Sequence, residues 1–380
     1  MAQNDSFGNF ANRSSSKWRR FPEDTLPMHV AEMDFDVAEP IRIQLQKMVA
    51  NSDLGYLGPL SELEPAFTSF ASERWGWDIS PGGMKLATDV GVAAVEILRA
   101  SGNPGDRVMV NSPVYSAFFK WIDEVGMVPY DAPLELAGSR WQLDLSAIER
   151  GFQEGVKIYL LCSPQNPVGT VHTPAELTEV ARLAEEYGVL VISDEIHAPL
   201  SWVPFAPYLS LGAAARRTGV TITSSSKAWN TAGLKAGFLI TQSDEVRRKL
   251  VKLPEAMNWR ASILGAFSMV AAFSHGLPWL NATVDQIQAR LATVQTAVAE
   301  LLPKAKMFEM EATYLAWIDL SEYRMGNAAA EILSGAKVAV VAGSDHSPQD
   351  DFQGFIRFNF ATSDARIREA ISRIAKLVEG

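Results

Sequence analysis

The chain has 380 residues, a length for which we expect one large domain with a smaller one attached. Of its residues, 47% are hydrophobic and 21% are charged, as in an ordinary globular protein. Its formal net charge of −10 argues against nucleic acid and anionic membrane surfaces as partners. A single cysteine, Cys162, excludes an internal disulfide and a cysteine-built zinc site, and it favours a reducing compartment.

The N-terminal residues 1–17 are rich in Asn, Ser and Gly and predict a mobile arm. This arm has no apolar segment like that of a signal peptide, and the longest mostly apolar stretch, residues 262–273, is too short to span a bilayer. We therefore expect a cytoplasmic protein. Residues 26–35 predict an extended segment, and residues 39–49 and 62–75 predict helices.

From residue 84 onward, short β-rich runs alternate with amphipathic stretches such as 92–101 and 175–187. This alternation is typical of βαβ units, so we expect an α/β fold with a mainly parallel seven-stranded sheet flanked by helices. The predicted strands are residues 84–88, 107–111, 128–131, 157–162, 189–193, 220–223 and 236–241.

A different pattern follows a helical section at about residues 244–302. Short runs at 306–309, 313–320, 337–342 and 355–360, with a last helix at 364–378, predict a smaller α+β domain. We accordingly predict an N-terminal arm and segment packing with the small domain (1–50), a large domain (51–280) and a small C-terminal domain (281–380). No internal repeat or low-complexity tract is visible in the sequence.

Ligands of parallel α/β sheets bind at the carboxyl ends of the strands, so the residues after each strand are the candidates for function. The small residues of 88–94 would let backbone N–H groups at a helix N-terminus approach an anion such as a phosphate, although a plain strand-to-helix turn has the same pattern. Neither GxGxxG nor GxxxxGK[ST] occurs in the sequence, so no motif indicates dinucleotide or nucleoside triphosphate chemistry.

Two further strand ends carry residues that could hold a planar ligand. Tyr115 could stack on a ring, although an aromatic residue there is more often part of the core. Asn166 lies between Pro164 and Pro167, which restrict the backbone and make its amide a stiff donor and acceptor, unless this is only a proline-rich loop.

Asp194, Glu195 and His197 follow the next apolar strand. A carboxylate in so dry a place is costly unless it pairs with a cation or a protonated ring. A metal site is the alternative, but no second histidine lies at ligand spacing, and adjacent strand residues point to opposite faces.

Two cations complete the set of candidates. Lys227 follows three serines at a strand end and is either a solvated lysine or a Schiff-base lysine, and Lys235 lies eight positions on. Arg357, inside an apolar strand of the small domain, would form either a structural ion pair or a bidentate clamp for a substrate carboxylate.

Taken in order, the Asn loop, the strand-end Asp, the Ser-x-Ser-Lys and the late Arg resemble the fold-type I pyridoxal phosphate (PLP) enzymes, the aspartate aminotransferase superfamily (class I/II). Within it, the chain looks most like the MalY/PatB group of cystathionine β-lyases. The strings that carry this likeness are Ala31-Glu32-Met33-Asp34-Phe35, Gly55-Tyr56, Asn166-Pro167-Val168-Gly169, Asp194-Glu195-Ile196-His197 and Ser226-Lys227-Ala228-Trp229-Asn230.

The resemblance implies pyridoxal 5′-phosphate as the cofactor. Lys227 would bind it covalently and act as the base at the substrate α-carbon, and Asp194 would pair with the pyridine nitrogen. Asn166 would hydrogen-bond the 3′ oxygen of the ring, Tyr115 would stack on its face, and His197 would belong to the same cofactor site.

For the cofactor phosphate, the resemblance implies Ser224, Lys235 and the backbone of Gly91 and Val92. Arg357 would bind the substrate α-carboxylate, with Asn166 and Tyr56 also at the substrate. Tyr56 would come from the neighbouring subunit, so the resemblance implies a homodimer with shared active sites. Tyr56 and Tyr115 are the candidates for protonating the leaving thiolate.

The activity implied is α,β-elimination of L-cystathionine or a related cysteine S-conjugate to a thiol, pyruvate and ammonia. An aminotransferase and a regulatory protein that keeps the fold are the alternatives. The chain departs from the group's pattern at Glu32, which replaces an Asp, at Val90 and Ala93 in the phosphate turn, and in the loop 343–348. The first and third departures are expected to border the substrate pocket.

Overall fold

A computed structural model describes residues 12–349 and 351–379. Its α-helices are α1 Ser16–Arg19, α2 Glu39–Ala50, α3 Leu63–Trp75, α4 Val90–Ser101, α5 Ala117–Glu124, α6 Leu145–Gln153, α7 Pro174–Tyr187, α8 Ala213–Thr218, α9 Asp244–Lys249, α10 Ala256–Trp259, α11 Ile263–His275, α12 Leu277–Leu301, α13 Ala328–Glu331 and α14 Asp364–Glu379. Its strands are β1 Leu26–Pro27, β2 Met84–Ala87, β3 Arg107–Val110, β4 Val128–Asp131, β5 Glu135–Ala137, β6 Arg140–Gln142, β7 Ile158–Cys162, β8 Leu190–Asp194, β9 Gly219–Thr223, β10 Gly237–Ile240, β11 Lys306–Met307, β12 Leu315–Asp319, β13 Val338–Ala339, β14 Val341–Ala342 and β15 Phe355–Asn359.

The central sheet has seven strands in the order β2-β10-β9-β8-β7-β3-β4. All are parallel except β10, which is antiparallel to both of its neighbours. Every residue of β7, β8 and β9 is buried, because helices cover both faces of the sheet. The predicted fold class is confirmed, and each of the seven predicted strands ends within one residue of its expected boundary.

The helices that cover this sheet include three, α5, α6 and α8, that the sequence did not single out, and the β5–β6 hairpin was also missed. The helix α7 begins at a capping box, in which the Thr173 hydroxyl accepts from Glu176 N and the Glu176 carboxylate accepts from Thr173 N. It ends at Gly188, whose φ of +67° is one that glycine adopts without strain.

A second sheet has the order β11-β12-β15-β14 and is antiparallel throughout. It places Arg357 of β15 directly opposite Trp317 of β12 and Val341 of β14. The helical section predicted at about 244–302 consists of α9 to α12, and the predicted last helix corresponds to α14, which packs along α12.

The N-terminal segment is joined to the C-terminal part of the chain by β1, which pairs in parallel with β13 in a separate two-stranded sheet. Residues 28–34, called the strap below, continue from β1 as an irregular segment with bends at residues 29–31 and 34. The prediction of a mobile arm over residues 1–17 is wrong for Lys17, which is buried in α1 with its Nζ 2.7 Å from Asp34 Oδ1. Residues 1–11 of that arm lie outside the described residues, and the three-part domain division stays a prediction.

Within residues 12–349 and 351–379, no single helix has the length and hydropathy that crossing a membrane requires. The helices α11 and α12 meet those criteria only as a pair bent by 83°.

Candidate active site

The strand order gathers the candidate side chains at one edge of the central sheet. Cys162, Asp194 and Ile222 are neighbours in register where β7, β8 and β9 end, so the segments that follow these strands meet there. Since β10 runs the opposite way, its first residue Gly237 lies at the same edge, paired with Ala87 at the end of β2. This brings Lys235 to the segment between β2 and α4.

Lys227 is not the solvated lysine of the alternative interpretation. Its Nζ lies 3.0 Å from the carbonyl oxygen of Ala31 in the strap. Burial, followed by the positive charge of Arg357, lowers the pKa of Lys227 to about 8. Among the described residues no carboxylate forms an ion pair with it, and a pKa of about 8 leaves roughly a tenth of the amine neutral and nucleophilic at pH 7, far more than for an ordinary lysine.

Asp194 is a buried carboxylate at the end of β8. Burial raises its pKa to about 7, opposed by a hydrogen bond from Ile196 N to Oδ1 (3.1 Å) and by the charge of Lys227. It takes part in no ion pair within the part of the chain that the structure describes. A carboxylate in this state binds a cationic group, such as a protonated ring nitrogen, at little further cost in desolvation.

The side chains of Glu195 and His197 have surroundings that differ from those of Asp194. The Oε1 of Glu195 accepts from Ser193 Oγ and Tyr208 N, both at 2.9 Å. The described residues contain no group of three His, Cys, Asp or Glu side chains arranged to hold a metal ion. Burial lowers the pKa of His197 to about 3, so the ring is neutral, and its buried Nδ1 has no hydrogen-bond partner in the described structure.

Arg357 and Asn166 are brought together from the two sheets. Arg357 Nη1 donates to Asn166 Oδ1 at 3.3 Å, Nη2 donates to the His29 carbonyl at 3.1 Å, and the buried Nε has no partner among the described residues. Its charge is not neutralised by an ion pair in the described part of the chain, contrary to the structural alternative. The buried guanidinium therefore has a donor and a full charge to offer a carboxylate.

Tyr115 lies between β3 and α5, and its ring makes edge contacts with Phe118 and Trp121 at centroid distances of 6.0 and 5.8 Å. Burial raises the pKa of its phenol, while the charge of Arg357 acts in the opposite direction. Tyr115 is only partly buried, so part of the residue is accessible at the strand edge.

A cradle for an anion lies at the N-terminus of α4. Asp89 caps this helix by accepting from Val92 N at 2.8 Å, and Lys235 Nζ lies 3.1 Å from Asp89 Oδ2. A Cβ on Gly237 would stand 3.2 Å from the backbone of Asp89, so the glycine allows β10 to approach the helix start. One lysine and the first-turn N–H groups of a twelve-residue helix are suited to a phosphate.

Ser224 and Gly91 border this cradle. The Ser224 hydroxyl donates to Ala236 O at 2.6 Å and accepts from Ser226 N at 3.0 Å, which ties the lysine loop to the start of β10. A Cβ on Gly91 would lie 3.0 Å from the Trp121 ring, so a larger residue would require that ring to move away from α4. The N–H of Val92, one of the predicted phosphate donors, is engaged by Asp89.

Tyr56 is the predicted site residue that a single chain does not bring to the others. Its side chain is 92% exposed, in a loop where Leu54 is 55% exposed and beside Trp259, which is 57% exposed. These residues line a crevice of about 270 Å³ together with the start of α11.

Of the strap, the sequence placed only Glu32 near the substrate pocket and gave its backbone no role in the site. The Ala31 carbonyl accepts one hydrogen bond from Lys227 Nζ and another from Tyr314 Oη, which lies 3.0 Å away. Asn230 exchanges two hydrogen bonds of 2.8 Å with the Met33 backbone, and Asn359 Nδ2 donates to the carbonyls of Val30 and Glu32. No sequence signal marks Tyr314, because a tyrosine in an apolar run looks like a core residue.

Glu32 and the loop 343–348 are the two departures from the group's pattern that were expected to border the substrate pocket. They lie in different parts of the structure. The Glu32 carboxylate turns toward the N-terminal segment, where Oε2 accepts from Ser15 Oγ at 2.6 Å. The loop 343–348 lies against the segment before Tyr115, since the His346 carbonyl accepts from Val114 N at 2.9 Å. The His346 ring is fully buried, and its Nε2 is left without a partner in the described structure.

These features fit the cofactor that the resemblance implies. A lysine amine that is partly neutral, a buried carboxylate without a cation, an arginine without a carboxylate and an anion cradle face one edge of one sheet. An aldehyde, a ring nitrogen and a phosphate are the complementary groups of PLP, and the arginine remains for the substrate.

Comparison with known proteins gives related matches over almost the whole chain. A family model described as aminotransferase class I and II matches residues 37–374. A Mycobacterium leprae protein provisionally named cystathionine β-lyase is 38% identical, over 96% of this chain and 94% of that one. The cystathionine β-lyase PatB of Bacillus subtilis is 30% identical over 95% of each chain. A Corynebacterium diphtheriae crystal structure, provisionally titled a PLP-dependent β-cystathionase, superposes with a TM-score of 0.90 at 31% identity and covers 96% of both chains.

Proposed function

Because the chain belongs to the aminotransferase class I and II family, we propose that it is a PLP-dependent C–S β-lyase. Its substrate is L-cystathionine or a related cysteine S-conjugate, and its products are a thiol, pyruvate and ammonia. The observation that carries the proposal is the edge of the central sheet where the half-buried Lys227 and the buried Asp194 and Arg357 form no ion pair within the described residues. The choice of elimination over other PLP reactions is supported by the relatives named as cystathionine β-lyases.

When bound, PLP supplies an electron sink for the bond that breaks at the substrate α-carbon. Lys227 Nζ would attach the cofactor and, once released, take the α-proton, for which a pKa of about 8 is suited. Asp194 would keep the ring nitrogen protonated, and this preorganised charge would be the largest electrostatic contribution of the protein.

The remaining proposed roles are those of binding and orientation. Asn166, Tyr115 and His197 would fix the ring, and the α4 cradle with Ser224, Lys235, Gly91 and Val92 would hold the phosphate. Arg357 Nε and Nη1 face no anion in the described chain, so they would bind the substrate α-carboxylate and orient the bond to be broken.

For the leaving group, the proton that Lys227 Nζ removes from the α-carbon must be matched by one delivered to the departing sulfur. Tyr115 is the candidate within this chain, because burial raises its pKa and keeps the phenol protonated. Tyr56 is the second candidate and would have to come from another subunit, given its 92% exposure.

The reaction is tested with L-cystathionine and purified, PLP-loaded protein, by measuring pyruvate and free thiol. We expect both products in equal amounts without any added amino acceptor, and none from the Lys227→Ala variant. Keto acid formation that requires an amino acceptor would instead establish an aminotransferase, the alternative that the family name raises.

We further propose a homodimer in which each active site is completed by Tyr56 of the partner subunit. The exposed apolar side chains Leu54, Tyr56 and Trp259 support this proposal, because apolar groups clustered on a surface are typical of an interface. A cytoplasmic location is proposed as well, on the basis of the single buried cysteine.

A further inference from the structure

Tyr314, directly before β12, donates a hydrogen bond to the same acceptor as Lys227. Tyr314 Oη and Lys227 Nζ each lie 3.0 Å from the carbonyl oxygen of Ala31, although the two donors are 283 and 196 residues from Ala31 in sequence. The Tyr314 side chain is completely buried, and burial raises the pKa of its phenol well above the physiological range. The hydroxyl is therefore a permanent donor to that carbonyl.

The backbone before Tyr314 is held in an unfavourable conformation. Thr313 has a φ of +73°, and a β-branched residue in the left-handed region costs about 1–3 kcal/mol. The conformation is fixed by a hydrogen bond from Leu315 N to Thr313 Oγ1 (3.3 Å) and by another from Phe360 N to Tyr314 O (3.0 Å). Strain of this kind persists where the surroundings impose it, and it is concentrated at functional sites.

The charged and titratable groups around Lys227 come from every neighbouring element. Arg357 on β15 and Lys235 before β10 oppose its protonation, whereas Glu32 in the strap and Asp194 on β8 favour it. The neutral His197 ring completes the surroundings, 6.3 Å from the Tyr314 ring. Beside these charges, the Ala31 carbonyl is the one acceptor that Lys227 contacts directly in the described structure.

We propose that Tyr314 is a positioning residue for Lys227, acting through the Ala31 carbonyl to keep the lysine amine available for attack on an aldehyde. An oxygen that already accepts from a phenol hydroxyl is a weaker acceptor for an ammonium group. Tyr314 thus limits how strongly the carbonyl stabilises the charged lysine, and it fixes the strap while Lys227 is engaged elsewhere. The role rests on the proposed function of Lys227 as the cofactor lysine.

The test is the pH dependence of covalent PLP attachment to the cofactor-free protein. Attachment is followed by absorbance and assigned to Lys227 by borohydride reduction and mass spectrometry, with Lys227→Ala as the blank. The wild-type rate is expected to reach half its maximum at about pH 8. In Tyr314→Phe the midpoint should rise by roughly half a pH unit, which slows attachment at pH 7 about threefold.

Tyr208→Phe is the matched control, since Tyr208 is equally buried and its hydroxyl contacts Thr218 at 3.1 Å, away from the lysine. An unchanged midpoint in Tyr314→Phe, or an equal shift in Tyr208→Phe, overturns the inference. Should Tyr314→Phe fail to fold, 3-fluorotyrosine at position 314 keeps the shape but donates more strongly, and the midpoint must then fall.

The outcome is separable from that of the lyase assay. A shifted midpoint in a protein that leaves L-cystathionine intact would overturn the lyase proposal alone. Normal pyruvate release with an unshifted midpoint would overturn the role of Tyr314 alone.

Discussion

At the scale of single residues, Asp194 and Glu195 are adjacent buried carboxylates that differ in how many hydrogen bonds they accept. Burial raises the pKa of each to about 7. The Glu195 carboxylate is satisfied by Ser193, Tyr208 and Thr221, whereas the only hydrogen bond to the Asp194 carboxylate in the described structure comes from Ile196 N. The chain thus satisfies one buried acid internally and leaves the other to meet a ligand.

Replacing Asp194 by Asn is expected to lower kcat/KM for pyruvate release by roughly 10²-fold or more, because an amide cannot hold the ring nitrogen in its protonated state. The same change should stabilise the cofactor-free protein at pH 8 by about 1–3 kcal/mol, since it removes a buried charge. Steady-state kinetics and urea denaturation measure the two effects.

Glu195→Gln is the control for this prediction. It removes the neighbouring buried acid while its amide oxygen can still accept from Ser193 and Tyr208. Its activity should stay within a few-fold of the wild type. Equal losses of activity in both variants would mean that the strand end, rather than the Asp194 charge, is responsible.

At the scale of elements, the strap joins the two sheets across the candidate site. Its carbonyls accept from Lys227 and from Arg357, and the side chains of Asn230 and Asn359 also donate to its backbone. The buried Lys17–Asp34 ion pair fixes its far end. A segment tied in this way sets the relative positions of Lys227 and Arg357, to which the proposed reaction assigns the base and the carboxylate clamp.

Replacing Lys17 by Met should therefore destabilise the fold by about 3–5 kcal/mol, because Asp34 would remain as a buried charge without its lysine. Urea denaturation measures the loss, and hydrogen exchange should show faster opening of residues 28–34. The double variant Lys17→Met/Asp34→Leu removes both charges and should regain most of the stability. A double variant as unstable as the single one would contradict this account of the strap.

At the scale of the whole molecule, the buried ionisable groups link folding to pH. Burial lowers the pKa of His29 and His172 to about 4 and of His197 and His346 to about 3. Between about pH 4 and 6.5, the unfolded chain binds protons on these four histidines and the folded chain does not. Asp194 and Glu195, with raised pKa values, act in the opposite sense and bind protons only in the folded state there.

The unfolded state thus binds about two protons more, so the free energy of unfolding of the cofactor-free protein should rise with pH by roughly 2–3 kcal/mol per unit between pH 4 and 6.5. Denaturation at a series of pH values measures the slope. His172→Gln should reduce it by about 1.4 kcal/mol per unit, whereas His275→Gln, at an exposed position, should leave it unchanged. Equal slopes in both variants would refute the assignment.

Assembly of the active site can be tested by mixing subunits. Tyr56→Ala and Lys227→Ala variants, each of low activity, are unfolded together and refolded. If each site combines Lys227 of one subunit with Tyr56 of the other, hybrids contain one intact site, and about a quarter of the wild-type activity should return. Activity that does not rise above the mean of the two unmixed variants would exclude a shared site.

Much of the fold was predictable because strands buried on both faces are nearly continuous apolar runs, as β7, β8 and β9 are. The polar residues that interrupt those runs are few, so Asn166, Asp194 and Lys227 stood out as candidates at the strand ends. The β5–β6 hairpin was missed because two three-residue strands carry too little pattern. The burial of Lys17 was equally invisible, since it depends on distant neighbours.

By itself, the sequence determined the α/β order of the elements and singled out Lys227, Asp194 and Arg357 as candidates, because hydrophobic period and residue type are local properties. Only the tertiary structure decided that the Ala31 carbonyl lies between Lys227 and Tyr314, and that Arg357 reaches Asn166 from the other sheet. Such contacts join a backbone atom or a side chain to a partner hundreds of positions away. Their cause is the packing of the strap between two sheets, which no local pattern encodes.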